Sequence, residues 1–129
     1  MNPIKKLPDA EFDIMQFMWE QDPPITTTQI MEQIGTERGW KIQTVVTLML
    51  RLSEKGFLRS EKLGKSRTYF PVISKSEYLK FEMDNFVGRF HNNSFSSLVA
   101  SVYDGNSLSN DEIDELLLLT QQLKAQREV

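Results

Sequence analysis

Two hydrophobic rhythms alternate along the chain. Glu11, Ile14, Met15, Met18 and Trp19 recur at helical spacing and predict a first helix from about Ala10 to Gln21. Pro23 and Pro24 end it, because proline lacks the amide a continuing helix needs. Thr26 and Gln29 then have the T-x-x-Q form of a capping box, and Ile30, Met31 and Ile34 supply the next apolar face, with Gly35 near its end. A third helix is predicted from about Ile42 to Lys55. It buries Val45, Leu48, Met49 and Leu52, and Gly56 sits where a C′ residue of positive φ is wanted. Beyond Gly56 the pattern becomes extended. "FLRSEK" and "RTYFPV" are β-prone runs separated by "LGKS", which predicts a hairpin, and Pro71 fits only an edge or the end of its strand.

From Ser74 the helical rhythm returns. Ser74 and Glu77 form an S-x-x-E box opening a helix that runs to about Phe90. Asn93 or Ser94 caps the next, which carries Phe95, Leu98, Val99, Val102 and Tyr103 on one face and stops at Gly105. Ser109 and Glu112 open a last helix with Ile113, Leu116, Leu117, Thr120 and Leu123 on one side, while Leu118 and Leu119 widen the apolar surface. Three helices in roughly 55 residues make a poor core by themselves. Their surplus of aromatic and leucine surface predicts burial against a second copy of the chain. The expected fold class is mostly α, in two domains. Residues 1–73 carry three helices and a β-hairpin. Residues 74–129 form an all-helical dimerisation domain, held through Phe86, Phe90, Phe95, Leu98, Val99, Val102, Ile113, Leu116 and Leu117.

The outward face of the third helix is unusual. Gln43, Thr47, Leu50 and Glu54 run along its centre, flanked by Val46 and Arg51, where a solvated helix ordinarily shows Glu/Lys pairs. Charge sharpens the picture. The net charge of −3 hides a segregation. Residues 1–37 hold two basic and seven acidic side chains, residues 38–67 eight basic and two acidic, and residues 77–129 four basic and nine acidic. A central block of +6 thus lies between two flanks of −5. Nucleic-acid binding follows the local field, so an acidic average does not argue against it.

Three short helices followed by a basic hairpin is the order of a winged helix-turn-helix, in which the third helix enters the major groove of double-stranded DNA. Gln43 suits adenine, Thr44 and Thr47 suit base edges or phosphates, and Val46 or Leu50 can meet a thymine methyl. Free amides at helix starts offer phosphate anchors near Thr26, Thr27 and Lys41. Arg51, Lys55, Lys65 and Arg67, with Ser66 in the turn, complete the expected DNA-contacting set. Two other functions fit parts of the pattern. A non-enzymatic adaptor would use the winged helix for protein contact. A small-molecule-responsive regulator would need an apolar pocket, for which Tyr78, Phe81, Phe86 and Phe90 are the candidate lining.

The segments "LPDAEFDIMQFMWE", "WKIQTVVTLMLRLSEKGFL", "RTYFPVIS", "FHNNSFSSLVASV" and "LSNDEIDEL" resemble the penicillinase-repressor (BlaI/MecI) family of bacterial regulators, from about Leu7 to Leu123. The most specific part is Thr44, Thr47, Arg51, Leu52 and Lys55–Phe57. The resemblance implies a homodimeric repressor that binds a palindromic operator, often of resistance genes. It also implies a membrane sensor with a metalloprotease domain as partner, derepression following cleavage. Relatives cut by that route have an Asn-Phe bond where this chain has Ser101-Val102, so the scissile dipeptide is absent. The copper-responsive branch has a cysteine-rich metal motif, and a chain with no cysteine is excluded from it. Val46 stands where the best-known resistance repressors have arginine, and Lys41-Ile42 where they have Ser-Pro, which implies a different operator sequence.

Nothing points to catalysis. The lone histidine, His91, sits beside Asn92 and Asn93 and suits a capping or surface role. Glu112, Asp114 and Glu115 are the acidic first turn that a helix dipole favours. "GKS" at Gly64–Ser66 lacks the context of a phosphate loop. No cofactor or metal is expected. The N-terminal segment has no apolar h-region, and no run approaches the ~20 apolar residues that span a bilayer, so direct membrane insertion is not expected and the expected compartment is the cytoplasm.

Overall fold

The computed structural model describes residues 3–104 and 108–127. Helix α1 (Asp9–Trp19) is followed by a two-residue strand β1 (Ile25–Thr26) and helix α2 (Thr27–Ile30), which runs on as a π-helical turn through Met31–Gly35. Helix α3 (Ile42–Glu54), strands β2 (Leu58–Leu63) and β3 (Ser66–Pro71), and helices α4 (Lys75–Phe90), α5 (Phe95–Asp104) and α6 (Asn110–Arg127) complete the order. The chain forms two compact units that divide between Met83 and Asp84.

The first unit is a winged helix-turn-helix. Its core is the meeting of the predicted stripes: Ile14, Met15 and Met18 of α1, Ile30 of α2, and Val45, Leu48, Met49 and Leu52 of α3, closed by Phe57, Leu58 and Tyr69. Thr26 and Gln29 make both bonds of the capping box. Gly56 takes φ +83° after α3, and Gly64 takes φ +66° in the two-residue turn between Leu63 and Ser66. The sequence pattern did not show β1. It pairs antiparallel with β3 through Ile25↔Tyr69 and Thr26↔Thr68, giving the sheet order β1-β3-β2. Two residues are too few to display an alternation. Pro71 is the last residue of β3, outside that pairing, which agrees with its missing donor.

The division falls ten residues later than the expected boundary at 73/74, and the reason is Tyr78. Its ring is fully buried, with Phe12, Trp19, Phe57 and Phe81 at centroid distances of 5.5–5.9 Å. Its hydroxyl accepts the Leu7 amide (2.8 Å), and Trp19 Nε1 donates to the Ile73 carbonyl (2.9 Å). The start of α4 therefore belongs to the core of the first unit. Burial raises the Tyr78 pKa above its ordinary 10.0. The Leu7 bond opposes the rise, while Glu82 and, less, Glu11 add to it.

The second unit is helical. Ser94 caps α5 by accepting the Ser97 amide (3.1 Å), which resolves the choice between Ser94 and Asn93, and Ser109 accepts the Glu112 amide (3.2 Å) at α6. Asn92 and Asn93 turn the chain at φ +50° and +64°, which asparagine tolerates better than most residues. The expected stop at Gly105 lies outside the described residues. The described part of α6 has no buried residue.

Candidate nucleic-acid interface

Helix α3 presents two unlike faces because its apolar residues keep the 3.6 period. Val45, Leu48, Met49 and Leu52 are buried, whereas Gln43, Thr44, Val46, Thr47, Leu50 and Arg51 are all exposed. Lys41 occupies the N-cap in an extended conformation without a side-chain cap bond; its carbonyl accepts the Thr44 amide (2.9 Å), and no side chain caps the first amides of α3. Thr47 also bonds within the helix. Its hydroxyl donates to the Gln43 carbonyl (2.9 Å), leaving the oxygen lone pairs and the methyl for an outside partner. Thr26 is likewise engaged within the chain, since its amide and hydroxyl both bond Gln29 in the capping box, and Thr27 beside it is half-buried.

The eight cations of the central block separate into two groups. Arg38 pairs with Asp13 and stacks on Trp40, and Arg59 pairs with Glu61 while lying 4.3 Å over Phe70. Lys55, expected to meet phosphate, instead reaches 2.5 Å to Glu11, a carboxylate only 1% exposed. A buried carboxylate on the apolar stripe of α1 needs a cation, and α3 supplies it. Lys41, Arg51, Lys62, Lys65 and Arg67 are exposed and have no carboxylate partner among the described residues. Lys62 was not in the expected contact set. The register shows its place: it lies directly across the ladder from Arg67, so two like charges share one face of the hairpin tip. Such a pair is unfavourable alone and suits a polyanion. Arg67 also donates to Ser60 Oγ (2.9 Å), which steadies the guanidinium, and Ser66 is exposed at the turn.

Other candidates fare differently. Phe86, Phe90, Phe95, Val99, Leu116 and Leu117 are exposed in the single chain, while Leu98, Val102 and Ile113 are half-buried. Ser101 and Val102 lie inside α5, where Ser101 Oγ donates to the Leu98 carbonyl (2.8 Å). Tyr78 is fully buried and cannot face a ligand, which removes it from the expected apolar pocket. His91 is half-buried with Nδ1 3.0 Å from Ser97 Oγ. No group of three His, Cys, Asp or Glu suited to a metal exists among the described residues, and none of their helices is long and apolar enough to cross a membrane.

Comparison with known proteins places these features in company. The penicillinase repressor family model matches residues 7–122. The penicillinase repressor of Bacillus licheniformis is 31% identical over 124 residues, 96% of each chain. The methicillin resistance regulatory protein MecI of Staphylococcus aureus (strain N315) is 30% identical over 115 residues, 89% of this chain and 93% of that one. Among solved structures, the DNA binding domain of the repressor BlaI superposes with a TM-score of 0.53 at 32% identity, over 60% of this chain and 94% of that one. The Bacillus licheniformis BlaI monomeric form in complex with the blaP half-operator gives 0.50 at the same identity and coverage.

Proposed function

The chain belongs to the penicillinase repressor family, and from that premise we propose that it is a cytoplasmic, dimeric transcriptional repressor that binds a palindromic operator. The observation that carries the proposal is the exposed α3 face, where Gln43, Thr47 and Leu50 precede Glu54 along the centre, set among five cations that have no carboxylate partner among the described residues. Gln43 and Thr44 read base edges. Thr47, with its proton committed to the helix, accepts a hydrogen bond from a base amino group. Lys41, Arg51, Lys62, Lys65 and Arg67 anchor phosphates and carry no sequence information. The C-terminal helices pair two chains, and the two-fold axis sets the recognition helices one DNA turn or a multiple of it apart. The exposed phenylalanines and leucines of α4, α5 and α6 support that role. Regulation of a resistance or stress operon fits the named relatives. A membrane sensor metalloprotease would have to cut a bond other than a copy of the Asn-Phe dipeptide.

Titrating the full-length chain against the promoter of its own gene across a salt series tests the proposal. If a dimer neutralises about six to ten phosphates, affinity falls by about 10³–10⁵ between about 50 and 200 mM salt. A flat salt response, or equal affinity for scrambled duplex, would end it.

A further inference from the structure

Three aliphatic side chains on α3 are left exposed. Ile42, Val46 and Leu50 are 48%, 43% and 57% exposed, and they follow one another at i, i+4 and i+8, a single ridge along the helix. The ridge runs beside Gln43 and Thr47 and climbs toward the centre of the outward face, where Leu50 sits. Exposed apolar groups on a face otherwise built for hydrogen bonding need an apolar counterpart inside a polar partner. In the major groove only thymine supplies one, its C5-methyl group. Arg51 beside the ridge and the surrounding positive block match a polyanion better than a protein surface.

Resting on the repressor reading above, we infer that Val46 and Leu50 read thymine methyl groups, so that this chain recognises part of its half-site by 5-methyl contacts rather than by hydrogen bonds. Four residues of helix advance about 6 Å, which matches about two base steps of 3.4 Å. The two thymines are therefore expected about two base pairs apart in each half-site, on either strand. The internal bond from Thr47 to the Gln43 carbonyl favours this division of labour, since it withdraws a hydroxyl donor from the same stretch of groove.

Deoxyuridine tests the inference cleanly, because it lacks only the methyl and keeps every hydrogen-bonding edge of thymidine. A duplex selected from a random pool by the full-length chain would be resynthesised with uracil replacing thymine one position at a time. Two positions per half-site should each weaken binding about fourfold, the worth of one buried methyl-sized group. Leu50→Ala should erase the loss at one of these positions and Val46→Ala at the other. Both substitutions lie on exposed surface, so the variants keep the fold. Uracil tolerated everywhere by a protein that still rejects scrambled duplex overturns the methyl reading and leaves the repressor intact. Uracil sensitivity that persists in both variants also overturns it. Failure to distinguish selected from scrambled duplex overturns both.

Discussion

Lys55 shows how one side chain changes role when its surroundings are known. From sequence it is a cation on the outer part of a DNA-reading helix; in the fold it neutralises Glu11, 44 residues away along the chain. The sequence placed Glu11 on the apolar stripe of α1 but did not say that its carboxylate would be buried and need a partner. Which cation would answer depended on how α1 meets α3. Lys55→Ala should therefore destabilise the protein by about 2–4 kcal/mol, because it strands a buried charge, and Glu11→Leu in the same chain should recover much of that loss. Urea unfolding of the single and double variants measures it; a single variant as stable as the parent would refute the pairing. Tyr78 makes a second residue-scale prediction. Its folded pKa lies above the unfolded 10.0, so the unfolded chain loses the phenolic proton first. The stability due to the neutral phenol is whole below pH 10 and is lost as pH climbs through the raised folded value. Tyr78→Phe should flatten that alkaline fall while costing about 1 kcal/mol at neutral pH for the lost Leu7 bond. Urea midpoints on both sides of pH 10 decide it.

At the scale of elements, legibility followed periodicity. Helix α3 was readable because four buried positions repeat at strict helical spacing, and the hairpin was readable because glycine marks its turn. Strand β1 was hidden, since two residues after a proline pair display no period, and so was the π-helical turn that ends α2. Helix α6 is the opposite case. Its leucines surround it, Leu116, Leu117, Leu118, Leu119 and Leu123 are all exposed, and no single stripe says which side meets a partner. Leu116→Asp discriminates. On a solvated helix an aspartate is harmless; at a dimer interface it buries an unpaired charge. Gel filtration should then find monomers with unchanged helical content and weak operator binding. A variant that stays dimeric would move the interface to other residues.

Across the whole molecule, the segregated charge was legible from composition, because counting by block needs no coordinates. What counting could not do was separate cations already paired within the fold from those left for an anion. Arg38, Lys55 and Arg59 drop out only when Asp13, Glu11 and Glu61 are found beside them. The division between the units falls later than the expected boundary for a similar reason. Ser74 announces a new helix, but a capping box says where a helix starts and nothing about which core receives it.

The Tyr78 ring sets where the chain can be cut. A fragment ending at Ile73 would keep every helix and strand that names the winged fold, yet it would open a tyrosine-sized hole ringed by Phe12, Trp19 and Phe57 and release the Leu7 amide from its acceptor. Truncation must therefore leave α4 attached at least through Phe81, which packs on Tyr78. The first two turns of that helix serve as the lid of the domain they follow.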